Sequence, residues 1–382
     1  MNIVNTADIV KKLEESPVYC LTNSSMENSH TDFWSWVVKD LGVEGLKIFG
    51  VTPLADEKLS KVTREWNHFD LYIETNKRCI VIENKIKSIH TNKQLREYSD
   101  KINKICKGSD GTIQILATFF EEANDLPENW GSITYADILT NLLNIKTENL
   151  FIKEYIGVLD NLNQLVEKFR NSEQIYEIEC PEHITYKELL NALAPARLDD
   201  IYKKYKTVQF KKYLTEKLGA NYAIETYFVS GQGGLSLDID YIKGVDKKPE
   251  DADKKSIKFR ITLHGIRYVK EVLIGTKTNF YLDNSKVLLS DSDCSSILDK
   301  INWLKIKENE VSSMRHSDEY NTFGKKGQYH HLSKYRHFDI QKTYAKSRVS
   351  YDELFDRIKT DIDSLCSEIE KTNFDGLFGT IK

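Results

Sequence analysis

The amino-acid sequence predicts an α/β fold with a mixed central sheet flanked by helices, followed by a second domain of α+β type. Helical and extended hydrophobic patterns alternate through the first half of the chain, as they do in α/β domains. This alternation stops near residues 171–183, and extended segments dominate after them. With 382 residues, of which 40% are hydrophobic, the chain is long enough for two cores. We therefore predict one domain at 1–175 and another at 176–382.

In the first domain, each element follows from its own pattern. Residues 79–86 and 112–120 are mostly apolar runs typical of buried strands, and 75–77 is a hairpin turn before the first of them. Helices are predicted where apolar residues recur every three or four positions. The predicted order is helix 6–16, helix 27–41, strands 61–66, 69–74 and 79–86, helix 92–106, strand 112–120, a helix after a capping box formed by Thr134 and Asp137, and helix 151–169.

In the second domain, two helices precede a series of strands, and a long amphipathic helix follows them. That helix begins with a capping box of Ser350 and Glu353. The glycine-rich stretch 231–234 lacks the Lys-Ser/Thr of a phosphate-binding loop, so we interpret it as a hairpin turn. The predicted elements are helices 185–193 and 198–217, strands 223–229, 235–242, 257–263 and 268–274, and helix 350–369.

Composition excludes several classes of protein. The formal net charge of −4 is not that of a uniformly basic nucleic-acid binder. No apolar run approaches the roughly 18 residues that a membrane span requires, and the first residues lack the pattern of a signal peptide. The six cysteines include no C-x-x-C pair, which argues against a zinc ribbon. We therefore expect a cytoplasmic protein that does not interact with membranes.

The segment 79–87 contains charged residues within an apolar strand. Strand side chains alternate, so Glu83 and Lys85 project from one face, and Asn84 projects from the other. Burying an unpaired carboxylate or ammonium costs several kcal/mol. Mutual pairing, solvent in a cleft or a metal ion must therefore compensate these charges. The alternative is a solvated ion pair on an edge strand.

A third charged group lies on the preceding strand. A hairpin that turns at 75–77 places Asp70 beside Glu83 and Lys85. Two carboxylates and an amine then meet on one side of the sheet. Mg²⁺ is commonly held by one or two carboxylates and keeps several waters, so this combination predicts a site for Mg²⁺, with Mn²⁺ as the substitute ion.

These residues resemble the signature of the PD-(D/E)XK nuclease superfamily. The acidic residue on the second strand corresponds to Asp70, and the Glu-x-Lys on the third strand corresponds to Glu83, Asn84 and Lys85. The proline of the motif is absent, because Phe69 precedes Asp70. The resemblance covers roughly residues 20–170 and implies a restriction-endonuclease-like core.

Two further motifs strengthen the resemblance. Gln94 and Tyr98 match the Gln-x-x-x-Tyr that many members carry on the helix after the third strand. Glu27 and His30 lie in a Glu-x-x-His-Thr pattern that, with the strand sequence Ile-Glu-Asn-Lys, resembles one bacterial branch. Asp32 is a rival to Glu27, and His30 is equally a candidate for a structural role. His68 is interpreted as a surface residue.

The resemblance implies a metal-dependent nuclease that acts on DNA rather than RNA, in defence against foreign DNA or in repair. Lys85 would position the attacking water, and Gln94 and Tyr98 would support the site or touch the phosphate backbone. A homodimer is one arrangement that the sequence leaves open. The implied metal ligands are Glu27, Asp70, Glu83 and the backbone carbonyl of Asn84.

Other functions remain open at this stage. The chain could be a catalytically silent nucleic-acid-binding or regulatory module that retains the nuclease fold, or an assembly protein. Residues 311–348 carry eight Lys and Arg against three Asp and Glu, with interleaved aromatic residues. Such a segment suits a nucleic-acid groove, but it equally suits a pair of strands with packed aromatics and solvated charges.

Overall fold

The structure is a computed structural model. It describes residues 3–22, 26–86, 88, 90, 92–106, 111–119, 126–171, 174–177, 184–219, 223–229, 234–242, 257–264, 267–275, 280–282, 285–287, 303, 321–323, 331–339 and 348–371.

Helices form where the apolar periodicity predicts them. The capping box at Thr134 is present: its hydroxyl accepts from the Asp137 amide, and the Asp137 carboxylate accepts from the Thr134 amide. Ser350 and Glu353 make the same pair of contacts. The helices are α1 (Ile3–Glu15), α2 (Pro17–Thr22), α3 (Glu27–Leu41), α4 (Asn92–Ile105), α5 (Tyr135–Leu143), α6 (Leu150–Arg170), α7 (Ile184–Leu193), α8 (Asp199–Leu218) and α9 (Tyr351–Lys371).

A mixed five-stranded sheet forms among the described residues of the first half. Its order is β1-β2-β3-β4-β5, antiparallel between β1, β2 and β3 and parallel between β3, β4 and β5. The strands are β1 (Leu59–Trp66), β2 (Phe69–Thr75), β3 (Cys79–Lys85), β4 (Thr112–Thr118) and β5 (Trp130–Thr134). This sheet with its flanking helices confirms the predicted α/β fold class, that of a restriction-endonuclease-like core.

Three details of the first half differ from the predicted elements. The sequence pattern did not predict α2 or β5. A 3₁₀ helix (Gly42–Phe49) directly follows α3. Gly42, where α3 was predicted to stop, has a φ of +62°, a conformation open to glycine at little cost, so the chain turns there and continues into the 3₁₀ helix.

One face of the sheet packs against α4. Ser99 on α4 donates to Gln114 of β4 at 2.8 Å, and the Trp130 indole donates to Ser99 at 3.0 Å. These buried hydrogen bonds hold α4 in register with β4 and β5. The apolar cluster on this face consists of Phe69, Tyr72, Cys79, Val81, Leu95, Tyr98, Ile102, Leu116 and Trp130.

The other face is covered by α3 and by aromatic side chains around it. Trp34 is fully buried and lies edge-on to Phe49, with 5.5 Å between ring centroids. Tyr135 stacks on Phe119 at 3.9 Å. This aromatic layer fixes α3 and the start of α5 near the carboxyl end of β3.

Among the described residues of the second half, a six-stranded sheet forms in the order β13-β14-β10-β9-β8-β7, and every neighbouring pair is antiparallel. Two short pairs, β11 with β12 and β6 with β15, lie outside it. The strands are β6 (Ile175–Glu177), β7 (Ala223–Val229), β8 (Gly234–Ile242), β9 (Ile257–His264), β10 (Arg267–Gly275), β11 (Phe280–Leu282), β12 (Ser285–Val287), β13 (Asn321–Phe323), β14 (His331–Asp339) and β15 (Arg348–Ser350).

The core of the second half includes a buried charge network. Asp361 on α9 accepts from the Tyr268 hydroxyl at 2.9 Å and from Arg357 at 2.9 Å, and it lies 3.4 Å from the Lys270 ammonium. The apolar stripe of α9 is buried as predicted, at Tyr351, Leu354, Ile358, Ile362 and Leu365.

Contacts divide the chain into two compact units. The first comprises Met1–Glu173 with Thr185–Tyr205, and the second comprises Gln174–Ile184 with Lys206–Lys382. The role of 176–382 in substrate recognition or dimerisation stays a prediction. Residues 231–233 of the glycine-rich stretch and most of the basic segment 311–348 lie outside the described residues, although β13 and β14 do form a strand pair. No helix among the described residues is long and apolar enough to cross a membrane.

Candidate active site

The polar end of β3 is buried at the centre of the first sheet. β3 pairs with β2 on one side and with β4 on the other. The exposed fractions of Glu83, Asn84 and Lys85 are 1%, 0% and 8%. The alternative of a solvated ion pair on an edge strand is therefore wrong, and the charges of Glu83 and Lys85 must be compensated inside the protein.

Three charged side chains meet on the face of the sheet that α4 covers. The Lys85 ammonium lies 2.6 Å from the Glu83 carboxylate. The strand register pairs Leu71 with Ile82, so the next position places Asp70 opposite Glu83. Asp70 Oδ2 accepts a hydrogen bond of 2.7 Å from the Asn84 amide. Strand alternation thus brings the predicted pair of carboxylates and the amine to one place.

The two carboxylates are held at an electrostatic cost. Burial raises the pKa of Glu83 to about 8, because it outweighs the opposing effect of Lys85, and the nearby Asp70 charge adds to the increase. Burial also raises the pKa of Asp70, against the lowering effects of the Asn84 amide and Lys85. Glu83 Oε2 is buried and makes no hydrogen bond to any described residue. A cation at this position would relieve the repulsion and satisfy that oxygen.

Lys85 remains positively charged in this environment. Burial by itself would lower the pKa of its ammonium, but the Glu83 carboxylate outweighs that effect, and the pKa lies above its ordinary value. The ammonium of a side chain that is only 10% exposed, held by one carboxylate, is a preorganised positive charge. It can stabilise negative charge that develops nearby.

Helix α4 brings Gln94 and Tyr98 to the same cluster. The Gln94 side-chain amide donates to Glu83 Oε1 at 3.1 Å and to the Tyr98 hydroxyl at 3.0 Å. Their spacing of four residues places both on one helix face. Gln94 therefore fixes the Glu83 oxygen that also pairs with Lys85, which leaves Oε2 as the free oxygen of that carboxylate.

Glu27 lies at the start of α3, beside the charged cluster. Its Oε1 accepts from the Ile86 amide at 3.0 Å, the Ser88 amide at 2.8 Å and the Ser88 hydroxyl at 2.6 Å. One oxygen of Glu27 thus holds the chain that leaves β3, and its charge acts on Asp70 and Glu83. The rival carboxylate, Asp32, instead forms an ion pair with Arg64 and is half-exposed.

The side chain of Asn84 points to the opposite face and is fully satisfied there. Its amide donates to the Glu27 carbonyl at 2.8 Å and to the Thr31 hydroxyl at 3.2 Å, and its oxygen accepts from the Tyr135 hydroxyl at 2.6 Å. His30 is also buried on this face, where its Nδ1 lies 2.7 Å from the Tyr155 hydroxyl. The geometry of His30 is that of a structural residue.

One residue considered in the sequence lies away from the cluster, and two residues that contact the site were not predicted. His68 is an exposed residue of the β1–β2 turn with a φ of +74°, which agrees with its interpretation as a surface histidine. Ser88 and Tyr135 contact site residues but were not predicted. The carboxyl ends of parallel strands share one edge of a sheet, so recognising β5 would have placed Tyr135 near Asn84.

The donor set fits a hard divalent cation that keeps part of its water shell. Asp70 and Glu83 supply two carboxylates, and one of their oxygens has no partner among the described residues. In that part of the chain, no group of three or more His, Cys, Asp and Glu side chains is arranged so that it could hold a metal ion. Mg²⁺ is typically bound through one or two carboxylates with several waters, so two carboxylates suffice for it.

A pH dependence of stability follows from the raised pKa of Glu83. Between the carboxyl pKa in the unfolded chain, about 4.3, and about 8 in the folded chain, folded Glu83 retains a proton that the unfolded chain releases. The metal-free protein should therefore lose stability as the pH rises through this interval, because the unfolded state binds fewer protons. We expect the free energy of unfolding of Glu83→Gln to fall by at least about 1 kcal/mol less over this pH interval than that of the wild type. This is roughly the free energy that corresponds to a shift of one pKa unit.

Chemical denaturation of both proteins at several pH values, without metal, measures this effect. Glu97→Gln, at an exposed position on α4, is the matched control and should leave the pH dependence unchanged. An identical pH dependence in wild type and Glu83→Gln would contradict the prediction.

Comparison with known proteins adds an independent observation. The model of one family, the PD-(D/E)XK nuclease superfamily, matches residues 16–171, about two fifths of the chain. Searches among curated proteins and among solved structures found no match. The matched residues include the whole five-stranded sheet, α3, α4 and the charged cluster. Fold, cluster and family model agree, and the match over residues 16–171 confirms the resemblance of this part of the chain to the PD-(D/E)XK nuclease superfamily.

Proposed function

We propose that this protein is a nuclease that hydrolyses phosphodiester bonds of DNA with Mg²⁺ or Mn²⁺. The match of residues 16–171 to the model of a nuclease superfamily supports a nuclease-type function and a nucleic-acid substrate. The single observation that carries the specific proposal is the convergence of half-buried Asp70 with buried Glu83 and Lys85, where one carboxylate oxygen has no partner among the described residues.

The proposed metal ligands are Asp70, Glu83 and the backbone carbonyl of Asn84, with Glu27 acting directly or through water. When bound there, a divalent cation would polarise the phosphate and make an attacking water more acidic. The protein holds the ligands in place. The Asn84 amide orients Asp70, and Gln94 together with Lys85 orients Glu83. This preorganisation leaves little rearrangement for the reaction itself.

Lys85 is the proposed positioning group for the nucleophile. Its ammonium can donate to a water and offset charge on the phosphate as the bond breaks. Gln94 and Tyr98 are hydrogen-bonded to each other, and Gln94 also donates to Glu83. These two residues would contact the phosphate backbone or support Glu83. We further propose a role in defence or repair, with the second unit contributing substrate recognition or dimerisation.

The decisive assay is cleavage of linear and circular duplex DNA by the full chain. We expect cleavage with Mg²⁺ or Mn²⁺, none after chelation, and recovery when metal is restored, because the two carboxylates cannot supply a strong nucleophile without a metal ion. Single-stranded DNA and RNA, tested in parallel, identify the substrate. If calorimetry shows no Mg²⁺ or Mn²⁺ binding and no nucleic acid is cleaved, the chain is instead a silent module that retained the fold.

A further inference from the structure

Asn84 connects the charged cluster to the opposite face of the sheet. Its backbone amide donates to Asp70 at 2.7 Å on the cluster side. Its side chain, which is completely buried, makes its three hydrogen bonds on the other side. The shortest of the three, at 2.6 Å, comes from the Tyr135 hydroxyl. The orientation of the Asn84 peptide is therefore set from both faces.

Tyr135 is itself held rigidly. Its ring is fully buried, stacks on Phe119 with 3.9 Å between centroids, and meets His30 edge-on at 5.2 Å. Its carbonyl accepts from the Asn163 side chain at 3.2 Å. The capping box at Thr134 fixes the turn that precedes it. The hydroxyl thus has one well-defined position, opposite the Asn84 oxygen.

We propose that Tyr135 is a positioning residue for the metal site, which acts through its hydrogen bond to the Asn84 side chain. This inference rests on the proposed function, because Asn84 is the residue whose carbonyl would bind the ion and whose amide orients Asp70. Without the hydroxyl, the Asn84 oxygen is a buried acceptor with no donor among the described residues, and the side chain keeps only two of the three hydrogen bonds that fix it. A shift of this side chain would move the Asn84 peptide, and with it both the carbonyl and the amide that holds Asp70.

The expected loss of metal affinity can be estimated from the behaviour of other metal sites. Loss of a group that orients a metal ligand typically lowers metal affinity by roughly 10- to 100-fold. Tyr135→Phe keeps the stacked ring and removes only the hydroxyl, so we expect Mn²⁺ binding to weaken by roughly tenfold. The metal concentration for half-maximal cleavage should rise equally, whereas the rate at saturating metal should stay within a few-fold of wild type.

Tyr155→Phe is the matched control. Tyr155 is also buried, at 1% exposure, but its hydroxyl contacts His30 rather than Asn84. Calorimetry with Mn²⁺ alone, performed well below each melting temperature, should show weakened binding in Tyr135→Phe only. Equal weakening in both variants would mean a general loosening of the core and would overturn the inference.

A double-mutant cycle with Asn84→Ala tests the route of the effect. If Tyr135 acts through Asn84, adding Tyr135→Phe to Asn84→Ala should change Mn²⁺ affinity by less than about twofold. A further tenfold loss of Mn²⁺ affinity in the double variant, or wild-type affinity in Tyr135→Phe alone, would overturn the inference. Neither result would contradict the proposed nuclease function. Absence of Mn²⁺ binding by the wild-type chain would overturn the proposed function and this inference with it. If Asn84→Ala does not fold, the Mn²⁺ affinity of Tyr135→Phe, compared with that of Tyr155→Phe, tests the inference without the cycle.

Discussion

Lys85→Ala is expected to reduce metal-dependent DNA cleavage by roughly 100- to 1,000-fold, the usual effect of removing one preorganised electrostatic group from a transition state. The Lys85 side chain is only 10% exposed, and its ammonium lies 2.6 Å from the Glu83 carboxylate, where it supplies a positive charge beside the two carboxylates. No water or exposed lysine can replace a charge held in that position. The measurement is the single-turnover cleavage rate at saturating Mg²⁺.

The variant should nevertheless fold. Glu83 loses its partner, but burial already raises the pKa of its carboxyl to about 8, so near pH 7 the group can take up a proton instead of remaining charged. Lys85→Met keeps the volume of the aliphatic chain and avoids a cavity. Both variants should retain the far-UV circular dichroism of the wild type and melt cooperatively.

Lys104→Ala provides the control for nonspecific loss of positive charge. Lys104 is exposed on α4, so its removal weakens only long-range attraction to DNA and should change the rate little at moderate salt. Wild-type-like cleavage by Lys85→Ala and Lys85→Met would show that Lys85 has no role in the reaction. Equal losses in Lys104→Ala would point to binding rather than to the chemical step.

Asp70→Asn is expected to abolish cleavage and, in the metal-free protein, to raise stability. The asparagine oxygen can still accept from the Asn84 amide, and its NH₂ group can donate to the unpartnered Glu83 Oε2. At the same time the substitution removes a half-buried negative charge beside Glu83 and Glu27. We expect a loss of Mn²⁺ affinity of at least roughly 100-fold and a gain of about 1 kcal/mol in the free energy of unfolding near pH 8.

The gain in stability should depend on pH with a defined sign. The folded pKa of Asp70 is raised above that of the unfolded chain, about 3.9. Ionised Asp70 therefore destabilises the folded wild type, fully above the folded pKa and not at all below the unfolded one. The difference between Asp70→Asn and wild type should vanish at low pH, grow as the pH rises from the unfolded pKa to the folded pKa, and stay constant above it.

Asp100→Asn, an exposed position on α4, serves as the matched control. It should change neither Mn²⁺ affinity nor the pH dependence of unfolding. If Asp70→Asn binds Mn²⁺ as tightly as wild type, Asp70 is not a ligand. A variant that is less stable than wild type above pH 8 would show that the Asp70 charge is compensated in the metal-free protein.

The sequence predicted those elements that carry their own signal. Strand β3 was recognisable from its apolar residues, and the charged residues within it were recognisable as a site because burying them needs a compensating partner. The hairpin at 75–77 then determined which residue faces Glu83. Asp70 could thus be predicted from register alone.

The residues that were missed depend on tertiary contacts. Strand β5 is five residues long, contains Gly131, and buries only Trp130 and Ile133 as apolar residues. Its extended state comes from pairing with β4, which no local pattern reveals. Because β5 was not predicted, neither was the approach of Tyr135 to Asn84.

The role of Glu27 also could not be derived from spacing. The pattern around Glu27 predicted a carboxylate near the cluster, and the structure places it there. Only the three-dimensional arrangement shows that one of its oxygens holds Ile86 and Ser88. The hydrogen bonds of this oxygen come from backbone amides that lie 59 and 61 residues further along the chain. No sequence pattern indicates contacts over such a separation.

The central claim is that Asp70, Glu83 and the Asn84 carbonyl surround one divalent cation. Crystals of the full chain soaked with Mn²⁺, with Asp70→Asn crystals treated identically, test it through anomalous diffraction. We predict one anomalous peak between the two carboxylates and the Asn84 carbonyl in wild type, and no peak there in the variant. A Mn²⁺ peak elsewhere in the wild type, with those three groups ligating nothing, would contradict the assignment.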